Sequence, residues 1–211
     1  MLALRTCLAA AAASVLLAGA GTAAAAPAKG AVTTHRLAAP SLALSRFDDG
    51  SFETPTIPPA TFQEFTAGQA IGPWQVSNGT VDLIGAGYWQ AAEGNQSVDL
   101  NGINPGTVSQ TFTTVPGTHY TVTYALAGNP AGPPTVKTGK VLVDGQDVQN
   151  FSFDVTSKTS TNMGYVYRQV TFVATSTSTT LSFASTTPNS SWGPVIDDVT
   201  VKPCPPCPTC G

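Results

Sequence analysis

The chain has 211 residues, a formal charge of −3 and only 10% charged residues. No basic run exists, which excludes the electrostatic footprint of a nucleic-acid binder and a polybasic membrane patch. Thr, Ser, Gly and Pro are abundant, a composition poor for helices and suited to strands joined by turns.

The first 26 residues have the pattern of a signal peptide: Arg5 as a positive start, an apolar run from Leu8 to Ala20, and small residues from Ala23 to Ala26. The apolar run is short for a span, and no second stretch of about 18 apolar residues follows, so no transmembrane segment is expected after cleavage. Cys7 precedes the apolar run, whereas a lipid-bearing cysteine would follow it. Residues 27–46 have no periodicity and read as a flexible leader. Residues 203–211 form a Pro/Cys-rich tail holding Cys204, Cys207 and Cys210. An odd number of thiols in an oxidising compartment points to a disulfide-linked oligomer, a local bridge or a soft metal, in that order.

Between leader and tail, residues 47–202 read as one domain. Phe47 to Glu53 is its first ordered element, and Pro55, Pro58 and Pro59 then interrupt pairing. Phe62 to Phe65 is a short strand. Trp74-Gln75-Val76 leads to Asn78-Gly79, read as a hairpin turn, with Val81 to Ile84 as the return strand. The stretch from Gly87 to Gly102 carries adjacent aromatics, Tyr88 and Trp89, a turn at Glu93-Gly94-Asn95, and an alternating strand from Gln96 to Leu100. Thr107 to Phe112 alternates likewise and is read as its neighbouring strand. Tyr120 to Leu126, Lys140 to Val143, Phe151 to Val155, Tyr165 to Ala174, Thr179 to Ala184 and Val195 to Val201 complete the series, with Asp144-Gly145 as a turn. About ten antiparallel strands and no helix of useful length predict an all-β jelly-roll sandwich. Phe112, Tyr120, Val122, Tyr124, Phe153, Phe172 and Phe183 are its expected core.

Two acidic motifs lie at opposite ends of this domain, Asp48-Asp49-Gly50-Ser51-Phe52-Glu53 and Ile196-Asp197-Asp198-Val199. If the chain ends meet, their carboxylates converge, and hard oxygen ligands suit a structural calcium. Glu53 and Asp198 would be the side-chain ligands, with Asp48 third and backbone carbonyls supplying the rest. The alternative is that these acids are turn residues at the surface.

From about Phe47 to Lys202 the chain resembles the secreted β-sandwich domains called choice-of-anchor C, which overlap with the cell-wall proteins of domain of unknown function 642. The resemblance rests on Gly50-Ser51-Phe52-Glu53, Gly72-Pro73-Trp74, Val81-Asp82-Leu83-Ile84, the run from Glu93 to Gly102, Gly106 to Gln110, Pro116 to Tyr120, Leu126 to Asn129, and Gly193 to Val199. It implies a galactose-binding-like jelly roll similar to carbohydrate-binding modules, calcium where the ends meet, and an extracellular protein associated with polysaccharide or cell wall. It implies no catalytic activity. The Cys-rich end departs from the variable anchors after which that family is named.

Sugar recognition needs aromatic platforms with a few placed polar groups. Trp74, Tyr88, Trp89 and Trp192 are the candidate platforms, with Tyr165 and Tyr167 as second choices, and Gln90, Glu93, Asn95 and Gln96 the candidate hydrogen-bonding groups. Trp74 and Trp192 read equally as core residues. Tyr88 and Trp89, being adjacent, point opposite ways, so one of them faces outward. No Gly-x-Ser-x-Gly elbow exists, and His119 sits in a Pro-Gly turn. The expected function is a secreted, non-catalytic domain that binds polysaccharide or cell-wall glycan. The alternative is a structural surface protein held by protein contacts and its cysteine tail. A small glycoside hydrolase, which needs paired carboxylates in a cleft, is a distant third.

Overall fold

The computed structural model describes residues 47–188 and 190–204. The signal-peptide pattern, the leader, and Cys207 and Cys210 lie outside the described residues.

Twelve strands form the domain: β1 (Phe62–Thr66), β2 (Ala70–Ile71), β3 (Trp74–Asn78), β4 (Thr80–Ile84), β5 (Ser97–Asp99), β6 (Thr107–Thr113), β7 (His119–Gly128), β8 (Val136–Val143), β9 (Gln146–Asp154), β10 (Val166–Val173), β11 (Ser178–Ser185) and β12 (Pro194–Pro203). They make two six-stranded antiparallel sheets. The first has the order β1-β4-β5-β12-β7-β10, the second β2-β3-β6-β11-β8-β9. Alternation drives this arrangement: β8 buries every second residue, as the pattern of a sandwich strand requires. All seven of the expected core residues, from Phe112 to Phe183, are buried. Asp144 (φ 49°) and Gly145 (φ 80°) both take the left-handed region that a two-residue hairpin between β8 and β9 demands.

Two connections differ from the expected ones. Asn78-Gly79 does not close a hairpin, because β3 belongs to the second sheet and β4 to the first. Gly79, at φ 60°, turns the chain across the sandwich, and a Cβ there would lie 2.0 Å from the carbonyl oxygen of Pro105. The dipeptide that favours a hairpin supplies the same backbone freedom to a corner between sheets. β5 and β6 are likewise in opposite sheets rather than neighbours.

The chain ends do meet. Residues 47–57 lack strand structure but lie against β12, where Val199 N donates to Gly50 O at 2.9 Å. This segment is clamped to the loop before β5 by two side chains. Glu53 accepts from the backbone N–H groups of Asn95 and Gln96 at 2.7 and 2.8 Å. Gln96, 1% exposed, accepts from Ile57 N and donates to the carbonyls of Phe52 and Pro55. A bulge in β12 between Asp197 and Thr200 puts Asp198 at φ 44°. Asp197 there accepts from Ala92 N and Glu93 N, tying the same loop to the last strand.

Candidate functional site

The first sheet turns one face away from the core, and registration places its side chains in rows. Phe62 on β1 pairs with Ile84 on β4, which pairs with Ser97 on β5. Two residues along, Glu64 pairs with Asp82, which pairs with Asp99. Since i and i+2 share a face, an aromatic–aliphatic row and a carboxylate row lie side by side across three strands.

The loop after β4 covers part of this face. Trp89 lies down on it, 6% exposed, with its indole Nε1 donating to Ser97 Oγ at 2.8 Å. Tyr88 turns the other way and is 42% exposed. Its ring meets Phe62 edge-on, with centroids 5.6 Å apart. Beside it opens a cleft of about 240 Å³, lined by Phe62, Glu64, Asp82, Ile84, Tyr88, Trp89, Gly102, Ile103, Asn129, Ser191 and Trp192. Among the described residues four aromatic side chains are exposed, Phe62, Tyr88, Tyr167 and Trp192. Three of the four line this cleft. Trp192 owes its place to Gly132, where a Cβ would lie 2.3 Å from its ring.

The carboxylates differ in their partners. Glu64 accepts from Ile103 N at 3.0 Å, an approach that Gly102 permits by lacking a Cβ. Asp99 is wholly buried and accepts from Asn101 N, Gly193 N and Asn129 Nδ2. Burial pushes its carboxyl upward, and those three donors pull it back. Asp82 lacks such help: its Oδ1 is buried without a hydrogen-bond partner. Burial, and then the charge of Glu64, push the Asp82 carboxyl up to about 7. Lys137 is buried and donates to Gly132 O at 2.7 Å; burial pulls its ammonium below the usual lysine range, and the charge of Asp99 partly restores it.

A pH dependence follows from Asp82. The folded carboxyl titrates near 7 and the unfolded one near its ordinary value of about 4. The folded state therefore holds the extra proton in between. Its contribution to stability is complete below about pH 4 and is lost as pH rises through about 7. A displacement of that size is at most roughly 4 kcal/mol, and partial solvent screening leaves about 1–2 kcal/mol. Urea midpoints at pH 5 and pH 8 should differ more in the wild type than in Asp82→Asn. Equal differences in the two proteins would contradict the assignment.

The residues expected from sequence separate. Tyr88 and Trp192 line the cleft, with Trp89 behind them. Trp74 does not serve as a platform: it is 0% exposed, packed on Phe47 and Phe52, with Nε1 donating to Asp49 O. It opens β3 on the buried face that it shares with Val76. Gln90, Glu93 and Asn95 are exposed but lie outside the cleft lining. Gln90 Oε1 accepts from Met163 N instead. Sequence reasoning missed Phe62, Glu64 and Asp82 as one site. The available signal was their spacing, Phe62-x-Glu64 and Asp82-x-Ile84, in two short strands.

Glu53, Asp198 and Asp48, the expected calcium ligands, do not form a group of three carboxylates. Glu53 is engaged by two backbone N–H groups. Asp198 accepts from the Tyr167 hydroxyl at 2.7 Å, and Asp48 is exposed. No group of three or more His, Cys, Asp or Glu side chains that could hold a metal ion is present among the described residues. Cys204 has no disulfide partner among the described residues and lies 3.2 Å from Thr121 Oγ1.

Comparison with known proteins now places the chain. The family described as "Protein of unknown function (DUF642)" matches residues 45–202. The chain belongs to this family. A curated relative, halomucin of Haloquadratum walsbyi, is 33% identical over 134 residues, which is 63% of this chain. The match spans 1% of that protein's length. Among solved structures, a family 35 carbohydrate-binding module from Clostridium thermocellum is similar with a TM-score of 0.44 and 14% identity, covering 67% of this chain and 97% of that one. TmCBM61 in complex with β-1,4-galactotriose has a TM-score of 0.45 and 16% identity, covering 74% of this chain and 95% of that one.

Proposed function

We propose that this DUF642 domain is a secreted, non-catalytic carbohydrate-binding domain that attaches to polysaccharide or cell-wall glycan through the cleft between Phe62, Tyr88 and Trp192. The observation that carries this reading is the gathering of exposed rings. A domain that buries Trp74, Trp89, Tyr120 and Tyr124 leaves three of its four exposed aromatics around one cleft. Rings stack on the apolar faces of sugars, while Glu64, Asp82 and Asn129 accept or donate to hydroxyls. The signal-peptide pattern of the first 26 residues supports export. No helix among the described residues is long and apolar enough to cross a membrane.

The carboxylate pair favours binding over cleavage. Glu64 and Asp82 are directly opposed residues on adjacent antiparallel strands, which sets their Cβ atoms about 4.5–5.5 Å apart on one face. Glycoside hydrolysis needs carboxyl groups that flank the bond from two sides. Side by side on one sheet, this pair presents a single polar floor.

The test is retention of the purified domain on insoluble polysaccharides, comparing wild type with Tyr88→Ala and Trp192→Ala. Removing an exposed aromatic that carries binding should weaken retention by about tenfold or more, with the melting temperature unchanged. Retention equal to wild type in both variants would refute the site. Failure of the wild type to bind any glycan would refute the function and favour a structural surface protein.

A further inference from the structure

The cleft is lined by carboxylates as well as by aromatic rings. Glu64 and Asp82 sit in its lining and Asp99 follows in the same cross-strand row. No Lys, Arg or His lines it. The ion pair found among the described residues, Lys140 with Asp147, lies elsewhere. Lys137 is buried and committed to Gly132 O. Adjacent carboxylates without a cation repel each other, and the buried Oδ1 of Asp82 has no donor at all. Exposed aromatic rings from Phe62, Tyr88 and Trp192 complete the lining.

We infer that the cleft selects a glycan bearing a free, protonated amino group, with the ammonium seated against Glu64 and Asp82. This rests on the carbohydrate-binding reading above and names the substrate class of that same site. Three features converge on the ammonium. It brings three N–H donors where a hydroxyl brings one, to a cleft lined by the carboxylates of Glu64 and Asp82. It neutralises the two facing carboxylates, beside which the cleft lining places no Lys, Arg or His. It is attracted to aromatic faces, which line the same space. Burial and Glu64 favour the protonated form of Asp82 in the free protein; an arriving cation reverses that balance and releases the proton. The same charge repels glycans rich in uronic acid or sulfate.

The experiment is calorimetric titration of the full domain with four hexasaccharides of matched length: fully deacetylated β-1,4-glucosamine, its N-acetylated form, neutral β-1,4-glucan and oligogalacturonate. The amine-bearing chain should bind at least tenfold more tightly than the N-acetylated one, with oligogalacturonate not bound. Asp82→Asn and Glu64→Gln should each bring the amine-bearing chain down to the affinity of the N-acetylated one. Added NaCl should weaken binding of the amine-bearing chain selectively, as expected for ion pairing. Equal affinity for the amine-bearing, N-acetylated and neutral chains, all lost in Trp192→Ala, would overturn the amine preference and leave carbohydrate binding standing. Hexylammonium binding as tightly as the amino sugar, with no neutral chain bound, would overturn the carbohydrate reading itself. Undiminished amine preference in both Asp82→Asn and Glu64→Gln would overturn the assigned carboxylates.

Discussion

Replacing Gln96 with Leu should destabilise the domain by about 3–5 kcal/mol, since each buried partner left unsatisfied costs roughly 1–3 kcal/mol. Three are stranded at once: Ile57 N, Phe52 O and Pro55 O. Leu matches the volume of Gln closely enough that packing is not the main loss. The damage is local in origin. Gln96 is half of the clamp that holds residues 47–57 against the loop before β5, Glu53 being the other half. Chemical denaturation measures the total, and hydrogen exchange locates it: protection at Ile57 should be lost first. A variant at Gln90, whose side chain is exposed and makes one long bond at 3.2 Å, should cost less than about 0.5 kcal/mol. A Gln96→Leu protein as stable as wild type would show that the clamp is not needed.

Trp74→Ala should cost about 3–5 kcal/mol, the range for removing a large aromatic from a packed core. The indole is fully buried and its ring centroid lies 5.0 Å from Phe52, 5.5 Å from Phe47 and 6.2 Å from Phe183. It also donates to Asp49 O at 2.9 Å, fixing the turn in which Asp49 caps Glu53 N and Thr54 N. The loss therefore has a packing part and a hydrogen-bond part. Trp74→Phe separates them, keeping most of the ring and deleting the N–H. Against a total stability of about 5–15 kcal/mol for a natural domain, Trp74→Ala should lower the urea midpoint sharply. It should leave glycan binding intact at concentrations of denaturant where the variant is still folded. Loss of binding without loss of stability would return Trp74 to the list of platforms.

These two residues show where sequence patterns carried information and where they did not. Strand alternation identified the core, because a half-buried strand must alternate whichever sheet it joins. It did not identify sheet membership. β3 and β4 are joined at Gly79 and β5 and β6 through residues 100–106, and both pairs cross between sheets. A left-handed glycine serves a hairpin and a corner equally well. Convergence of the two ends was legible, since Gly50 and Val199 are hydrogen-bonded. The use made of their acids was not. Glu53 and Asp197 hold backbone N–H groups of one loop, a role that residue type alone does not distinguish from metal ligation.

The cleft was half legible. Adjacency made Tyr88 and Trp89 face opposite ways, and the outward one lines the site. Trp89 is held inward by its bond to Ser97, a partner eight residues away that no local pattern announces. Glu64 and Asp82 become one feature only through the register of β1 on β4. Register is a property of pairing, and pairing between non-adjacent strands was the part that periodicity left open.

The central claim is that glycan binds in the cleft between Phe62, Tyr88 and Trp192. The most direct test is an NMR titration of the folded domain with a binding oligosaccharide, following backbone amides and the tryptophan indole signals. The account predicts shifts concentrated at Tyr88, Gly102, Ile103 and the Trp192 indole, with the buried Trp74 indole unmoved. Shifts confined to the opposite sheet, along β8 and β9, with Trp192 unchanged, would contradict it.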